Sequence, residues 1–261
     1  MSRRVPNSNA GGREFMSRPE LIFPASVRVT EQEIDLAGFS PRQKAFYLDL
    51  FWRLVAFYQS RNQPRGIIGI AGPTGAGKSV VAVLFKELAK QAGLPFAFEA
   101  ITIDAYHYPN RFLRSHFADG EPLKQVKGRF DTYDVAALVR DLKAFAAGKN
   151  VSFPVYSRKL HDPVADGVVV TDKSALLLIE GLWLLYEKAG WEQVGPQLDF
   201  SLFIESDPEK TREPVIRRHM TGGRTLADAV RHYEQVDGWN SDLVLTTKPK
   251  ADQVIPPYYS I

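Results

Sequence analysis

Residues 66–79, Gly66-Ile-Ile-Gly-Ile-Ala-Gly-Pro-Thr-Gly-Ala-Gly-Lys-Ser79, decide the fold. The first six residues form a short apolar run, which predicts a buried strand over 67–71. The last eight match the phosphate-loop pattern G-x-x-x-x-G-K-[ST], and helical sequence follows over 79–91. Strand, glycine-rich turn and helix in this order predict backbone N–H groups that cradle phosphate oxygens at a helix N-terminus.

The residue types of this loop predict what each position binds. We expect Lys78 to contact the β- and γ-phosphates of a nucleotide and the Ser79 hydroxyl to ligate Mg²⁺. The glycines permit backbone conformations that other residues resist. The predicted nucleotide-binding residues are Gly72, Thr74, Gly75, Ala76, Gly77, Lys78, Ser79 and Val80.

Apolar runs and helical segments alternate along the rest of the chain. Further strands are predicted at 96–103, 175–179 and 200–204, a last short strand could form at 243–245, and helices are predicted at 41–60, 135–147, 208–220 and 226–236. Strands separated by helices imply right-handed crossovers and a parallel sheet. Continuous apolar strands imply helices on both faces of that sheet. The predicted fold class is α/β: a three-layer P-loop NTPase fold with a parallel sheet, a short hairpin insertion and an Arg-rich lid.

Three parts are expected along the chain: a flexible leader over 1–20, an N-terminal helical extension over 21–65 and the phosphate-loop domain over 66–261. Ser40 before Pro41 is a helix-start signal, an N-cap hydroxyl followed by proline at the first helical position. Apolar residues at three- and four-residue spacing predict one buried face on helix 41–60. This helix could pack on the core or form a subunit contact.

Composition excludes several classes of protein. The 261 residues include 33 basic and 30 acidic side chains and no cysteine. The balance of charge argues against bulk nucleic-acid binding, and the absence of cysteine excludes disulfide frameworks, Cys-ligated zinc and thiol nucleophiles. No apolar stretch reaches the roughly 18–20 residues that a membrane span needs, and no apolar run follows the N-terminal arginines. We expect no nucleic-acid or membrane partner and a cytoplasmic location.

Two carboxylates end predicted strands, at the sheet edge where α/β proteins bind ligands. Asp104 follows Ile101-Thr-Ile and could orient an acceptor hydroxyl and take its proton, if it lies near the γ-phosphate. Glu180 ends the run Leu176-Leu-Leu-Ile and could stand beside Mg²⁺, directly or through water. The alternatives are a turn aspartate and an exposed strand-end glutamate.

Polar and aromatic side chains cluster in three segments that could line an acceptor pocket. The candidates are Tyr106, His107, Lys127, Arg129, Tyr156, Arg158 and His161. The last three lie in an alternating stretch that could form a hairpin. Aromatic packing and a solvated charged hairpin explain the same residues, so both explanations stay open.

A basic helix followed by glycines is typical of a lid that closes over phosphate groups. The basic residues of this segment are Lys210, Arg212, Arg217, Arg218 and Arg224, and Gly222-Gly223 ends the helix. Closure would exclude water, and Arg217 or Arg218 would balance charge on the transferring phosphoryl group. A solvated amphipathic helix is the alternative.

Three classes of phosphate-loop protein compete at this point. A GTPase switch normally carries an Asn/Thr-Lys-x-Asp guanine reader, but Thr247-Lys248-Pro249-Lys250 has lysine where the aspartate is needed. A nucleotide-binding ATPase or regulator without a small-molecule acceptor stays open beside a small-molecule kinase. ATP hydrolysis that depends on a protein partner would indicate the regulator.

Five segments, taken in order, resemble the phosphate-loop kinases that include uridine/cytidine kinase, phosphoribulokinase and bacterial type I pantothenate kinase. They are the phosphate loop, Thr102-Ile-Asp-Ala-Tyr-His-Tyr-Pro-Asn110, Phe153-Pro-Val-Tyr-Ser157 with His161-Asp162, Leu178-Ile-Glu-Gly-Leu182 and the lid Arg217-Arg-His-Met-Thr-Gly-Gly-Arg224. The resemblance implies ATP–Mg²⁺ as phosphoryl donor, an alcohol group of a small polar metabolite as acceptor, Asp104 as base, Glu180 near the metal and a possible homodimer.

The chain departs from the family patterns at three positions. Tyr108 and Arg158 stand where pantothenate kinases have histidine, and His219 follows Arg218 where uridine kinases have aspartate. The acceptor therefore stays open among nucleosides, pantothenate-like acids, sugars and sugar phosphates.

Overall fold

A computed structural model of the protein describes residues 18–30 and 32–257. Residues 1–17 of the expected leader lie outside the described part of the chain. Within those ranges, no helix is both long and apolar enough to cross a membrane.

Helices and strands alternate through the described residues. The helices are α1 Pro41–Ser60, α2 Lys78–Ala92, α3 Asn110–Ser115, α4 Val135–Ala146, α5 Pro208–Thr221, α6 Leu226–His232 and α7 Gly238–Leu245. The strands are β1 Ser26–Val29, β2 Gln32–Asp35, β3 Arg65–Ala71, β4 Ala97–Thr102, β5 Phe117–Ala118, β6 Glu121–Pro122, β7 Val151–Ser157, β8 Asp162–Val170, β9 Ala175–Gly181, β10 Phe200–Ile204 and β11 Gln253–Ile255.

Five strands form a parallel sheet in the order β11-β10-β3-β9-β4. β3 is central, and Ala71 at its carboxyl end pairs with Gly181 at the end of β9. In the same edge region, Thr102 at the end of β4 pairs with Glu180. The loops that follow these three strands therefore meet at one edge, which confirms the predicted α/β class and parallel sheet.

Helices cover both faces of the sheet. On one face, Leu50 and Phe51 of α1 and Phe85 of α2 pack with Ile68 and Leu178 in one buried cluster. On the other face, α4 packs its apolar side over β3, and Leu138 and Leu142 are buried in one cluster with Ile67, Leu177 and Ile179. The three layers expected from the sequence are present, and α1 belongs to the core.

Helix α1 begins where the sequence predicts. Gln43 N donates to Ser40 Oγ at 3.2 Å, and Ser40 N donates to Gln43 Oε1 at 2.7 Å. This reciprocal capping box satisfies backbone donors that a helix start otherwise leaves unpaired. The preceding segment also holds the antiparallel hairpin β1–β2, which was not predicted from the sequence.

Two local predictions change in the structure. Residues 243–245 are the last turn of α7 and not a strand, so this prediction was wrong; the last described strand is β11, parallel to β10. Three apolar residues suit a helix end as well as a strand, because so short a run has no readable period. The predicted helix 226–236 is α6 followed by a π-helical turn, Tyr233–Asp237.

Candidate active site

The phosphate loop joins β3 to α2, and its shape requires glycine. Gly72 has φ +151°, and a Cβ there would lie 2.6 Å from the Ile204 carbonyl oxygen. Gly75 has φ +81°, and a Cβ there would lie 2.9 Å from Cβ of Thr211 on α5. Side chains at these positions would meet both strain and collision, so the loop is held against β10 on one side and the lid helix on the other.

Lys78 is the first residue of α2 and is 7% exposed. Its Nζ donates to the Pro73 carbonyl oxygen at 2.8 Å, across the mouth of the loop. Burial lowers the pKa of Lys78 to about 8, although the negative charges of Glu180 and Asp104 oppose this shift. The ammonium thus lies over the loop with no carboxylate within ion-pair distance among the described residues, as a phosphate-contacting lysine requires.

Ser79 and Glu180 meet at the carboxyl end of β9. The Ser79 Oγ donates to Glu180 Oε1 at 2.9 Å, and Glu180 is 6% exposed. Burial raises the pKa of Glu180, while the charge of Lys78 and a hydrogen bond with the Thr102 side chain oppose the rise. A hydroxyl and a carboxylate beside a phosphate cradle are the oxygen donors that Mg²⁺ prefers, so these residues fit a nucleotide-bound magnesium ion.

Asp104 lies in a single 3₁₀ turn directly after β4. The turn is capped by Thr102, whose Oγ1 accepts from Asp104 N at 3.2 Å. The Asp104 carboxylate is 43% exposed and accepts from the Tyr133 hydroxyl at a long 3.4 Å. A carboxylate so weakly engaged and open to solvent is available to a ligand hydroxyl.

His107 and Tyr156 form a wall next to Asp104. The His107 ring lies 3.8 Å from the Tyr133 ring and 5.8 Å from the Tyr156 ring, centroid to centroid. Burial lowers the pKa of His107 to about 4, so its ring is neutral near pH 7. Its Nδ1 is hydrogen-bonded to the Asp104 carbonyl oxygen at 2.9 Å, and its buried Nε2 has no partner in the described structure.

The other predicted acceptor residues divide into two groups. Lys127 lies in the site, with Nζ 5.2 Å from the centroid of the Tyr156 ring, and Arg158 acts electrostatically on Tyr156. Tyr106 instead turns toward α4, where its hydroxyl donates to Asp141 at 2.9 Å. The structure does not bring Tyr106 to the pocket.

The side chains of Arg129 and His161 were predicted to line the acceptor pocket, but their contacts in the structure differ. The Arg129 guanidinium forms ion pairs with Asp131 and Asp119, at 2.6 and 2.9 Å, and so stabilises its own loop. His161 at the hairpin tip has φ +51°, and its carbonyl oxygen accepts from Lys127 Nζ at 2.7 Å. In the described structure, His161 therefore contributes its backbone carbonyl to the pocket, and its ring forms no hydrogen bond there.

The lid is formed by α5, α6 and the π-helical turn. Arg217 points outward and pairs with Glu213 at 2.6 Å, one helical turn earlier. The guanidinium of Arg218 instead lies within the electrostatic reach of Asp104 and Glu180. Both side chains are exposed, but Arg217 is engaged in a surface ion pair, whereas the charges of Asp237, Asp104 and Glu180 act on Arg218, which is therefore the lid arginine on the side of the site.

A His–Asp pair closes the inner side of the lid. His219 Nε2 lies 2.8 Å from Asp237 Oδ2, and His232 Nε2 lies 4.0 Å from the same oxygen. Burial would raise the pKa of Asp237, but the hydrogen bond with His219 and the neighbouring positive charges hold it below its usual value. These three groups could hold a metal ion by spacing alone, yet the charges of Arg218 and Arg224 beside them disfavour a cation.

Several site residues were not among the sequence-based candidates. They are Asn110, Lys124, Tyr133, Asp162 and Asp237. Asn110 and Asp162 lie in segments that carry the family resemblance, which is the one signal that points to them. Lys124 lies in no motif. It reaches the site only through the fold of its loop, so the sequence carries no signal for it.

Known proteins match this chain over most of its length. The sequence model of the "Phosphoribulokinase / Uridine kinase family" matches residues 67–258. The chain belongs to this family. Its members are phosphate-loop kinases of small molecules, in accord with the resemblance seen in the sequence.

Individual relatives agree with the assignment. The uncharacterized protein YggC of Escherichia coli (strain K12) is 32% identical over 206 residues, which cover 79% of this chain and 84% of YggC. A pantothenate kinase of Agrobacterium fabrum is 34% identical over 61% of this chain, but the match spans only 50% of that enzyme. A crystal structure described as a "putative fructose transport system kinase" from Silicibacter sp. TM1040 has a TM-score of 0.71 at 23% identity, and the match covers 80% of this chain and 98% of that one. This likeness supports the fold.

Proposed function

We propose that this protein is an ATP-dependent kinase that phosphorylates an alcohol group of a small polar metabolite. One observation carries the proposal: the half-exposed Asp104 carboxylate stands at the same sheet edge as the Ser79–Glu180 pair and Lys78. A regulatory ATPase needs the phosphate loop, Ser79 and Glu180, but it has no use for an open carboxylate beside an aromatic pocket. The arrangement therefore favours transfer to an acceptor over hydrolysis.

Each residue has a defined task in this proposal. Bound ATP–Mg²⁺ would supply the transferable phosphoryl group and neutralise charge on its oxygens. Asp104 orients the acceptor hydroxyl and takes its proton, while Lys78 and Arg218 balance charge that develops during transfer. Ser79 and Glu180 hold the metal side of the site. The lid excludes water, which would otherwise compete as acceptor.

The test is ADP release, measured with a coupled assay on a panel of nucleosides, sugars and hydroxy acids. We expect release to depend on one class of acceptor. Release that needs no metabolite and rises with a protein partner would support the regulatory ATPase instead. A competition between ATP and GTP distinguishes the kinase from a GTPase. Lys250 already argues against a GTPase, because it stands where the guanine-binding aspartate is needed and pairs with Glu187 at 2.6 Å.

A separate variant tests whether Asp104 is the base. Asp104→Asn keeps the size of the side chain but cannot take a proton, so turnover should fall by at least ~10²-fold while ATP affinity stays within about threefold. Asp49→Asn, on the exposed side of α1, is the matched control and should leave turnover unchanged. Near-normal turnover of Asp104→Asn would exclude Asp104 as the base.

Three sequence-based expectations remain proposals beside this function. They are a homodimer, a cytoplasmic location and the division of the chain at residue 65. Sedimentation of the purified protein tests the first.

A further inference from the structure

Four basic side chains around the acceptor side of the site have no carboxylate partner. The charges of Lys124, Lys127, Arg158 and Arg224 all act on His161 at the hairpin tip, and we call these four residues the basic pocket. Within residues 18–30 and 32–257, none of these four forms an ion pair, whereas Arg129, in the same loop as Lys127, binds two aspartates. Asp162 and Asp104 act on the two lysines without forming an ion pair with them. Four cations without an ion pair next to a phosphoryl-transfer site require an explanation.

Two of these cations are held close together by one amide group. Asn110 Oδ1 accepts from Lys124 Nζ at 2.7 Å and from Lys127 Nζ at 3.1 Å. Two ammonium groups that share an acceptor repel each other, and a neutral amide oxygen does not cancel their charge. Burial lowers the pKa of Lys127 to about 8, and the charge of Lys124 contributes to this shift.

The surroundings hold this arrangement in place. Asn110 N donates to Asp162 Oδ1 at 2.7 Å, and Asn110 Nδ2 donates to the His161 carbonyl oxygen at 2.9 Å. The carbonyl oxygen of Gly128, next to Lys127, accepts from Trp183 Nε1 and Asn240 Nδ2. The repulsion is therefore built into a fixed loop, and it is relieved when an anion binds between the lysines.

The basic pocket is separate from the nucleotide side of the site. The charges that act on Lys78 are those of Glu180, Asp104, Arg218 and Asp237. Those that act on Lys127 are Lys124, Asp162 and Asp104. Asp104 is common to both sets, which fits a carboxylate between the phosphate loop and the basic pocket, where the proposal requires the acceptor hydroxyl.

We propose that the acceptor carries an anionic group, a phosphate or a carboxylate, that binds between Lys124, Lys127 and Arg158 while its hydroxyl reaches Asp104. Arg224, in the turn between α5 and α6 of the lid, adds a fourth cation when the lid is over the site. This inference rests on the proposed kinase function and narrows its acceptor from polar metabolites in general to hydroxylated anions.

A binding experiment tests the pocket without any turnover. The protein is saturated with Mg²⁺ and a non-hydrolysable ATP analogue, so that the phosphate loop is filled, and inorganic phosphate is then titrated by calorimetry. We expect Lys124→Met, Lys127→Met and Arg158→Met each to weaken phosphate binding by about 10- to 100-fold, the scale of a lost charged hydrogen bond. The exposed Lys149→Met is the matched control and should bind as wild type does. Equal phosphate affinity in wild type and all three variants would overturn the proposal.

A second experiment compares acceptors in matched pairs that differ only in the anionic group. Suitable pairs are ribose and ribose 5-phosphate, and glycerol and glycerate; the first tests phosphate and the second carboxylate. We expect ADP release with the charged member of at least one pair and a KM for it that rises about 10-fold or more in Lys127→Met. Turnover of neutral members alone would overturn the anionic acceptor and leave the kinase function standing. Phosphate binding that the variants abolish, without turnover of any acceptor, would support the anion site and count against the kinase function.

Discussion

The hydroxyl of Ser79 donates a 2.9 Å hydrogen bond to the buried carboxylate of Glu180. This bond joins the first turn of α2 to the carboxyl end of β9. Glu180 also pairs in register with Ile70 of β3, so the position of the carboxylate is fixed by the sheet. The proposed metal side of the site is thus set by sheet register and not by a flexible loop.

Glu180→Gln tests this arrangement. The amide keeps the size of the side chain and an oxygen for Ser79, but it loses the negative charge. We expect turnover to fall by about 10- to 100-fold, the usual effect of changing a residue that supports a metal site, and half-maximal activity to require more Mg²⁺. Initial rates across a Mg²⁺ series measure both effects. The control is Glu99→Gln, which lies on β4 of the same sheet and loses an ion pair with Lys86 of α2. An unchanged Mg²⁺ dependence in Glu180→Gln would contradict the assignment.

Lys78 predicts a proton uptake that accompanies ATP binding. Because burial lowers its pKa to about 8, the free protein at pH 9 has a largely neutral Lys78. ATP phosphates favour the charged form and raise this pKa, so ATP binding should take up roughly half a proton or more at pH 9 and little at pH 7. Calorimetry in two buffers of different ionisation enthalpy measures the uptake. In Lys78→Arg, whose guanidinium is already charged, the uptake should vanish; uptake that persists there would assign the proton to another group.

Arg217 and Arg218 offer a matched pair of neighbouring positions. Arg218 lies near Asp104 and Glu180, whereas Arg217 is paired with Glu213 at the surface. Arg218→Met should lower kcat on the order of 10²-fold or more, because an arginine that balances phosphoryl charge contributes on that scale. Arg217→Met should stay within about twofold, since exposed ion pairs contribute little. Steady-state kinetics of both variants decides the assignment, and a larger effect at Arg217 would reverse it.

His232 predicts a loss of stability in mild acid. Burial lowers its pKa from 6.5 to about 4, so between these values the unfolded chain binds more protons than the folded one. Stability should therefore fall as pH falls from 6.5 to 4, by up to ~1.4 kcal/mol per pH unit for this group. Asp237 adds a loss of stability in the same sense, but only at lower pH, because its pKa is held below 3.8 in the folded protein.

His232→Phe should remove the part of this dependence that His232 causes, while His107, whose pKa burial also lowers to about 4, retains its own part. Urea unfolding at pH 6.5, 5.5 and 4.5 should show the loss of stability reduced by about 1–2 kcal/mol relative to wild type. His116→Phe changes an exposed histidine that stacks on Phe112, and it should retain the wild-type pH dependence. A variant whose stability falls as steeply as that of wild type would show that His232 does not contribute to the loss.

Elements with strong local signals could be predicted from the sequence. Helix α1 has the predicted bounds because Ser40, Pro41 and the apolar spacing all favour the same start and face. Strand β10 has them because a mostly apolar run lies between Asp199 and Glu205, which mark its ends. The run at 243–245 was assigned to the wrong element because it is too short to show a period. Strand β1 alternates polar and apolar residues but is only four residues long, and β2 has a single apolar residue, so the hairpin is too short for its period to be recognised.

The candidate site could be predicted where a motif residue also lies at the end of a predicted strand, because the strand end fixes its position. The phosphate loop, Asp104 and Glu180 each end or follow a strand of one parallel sheet, which brings them to the same edge. Charge partners cannot be read in this way. Arg129 and Lys127 are two residues apart and look alike in sequence, but Arg129 finds two aspartates and Lys127 finds an amide and a backbone carbonyl.

The central place of β3 in the sheet also governs how the protein is made. Arg65 of β3 pairs with Ala175, about 110 residues further along the chain, and Phe203 of β10 pairs with Ala71. At a synthesis rate of ~5–20 residues per second, the phosphate loop leaves the ribosome roughly 10 seconds before the strands that flank β3. The nascent chain must therefore carry an apolar central strand with both edges open during that interval. The nucleotide site is the first part of the sheet edge to be translated and can be completed only after residue 204 has emerged.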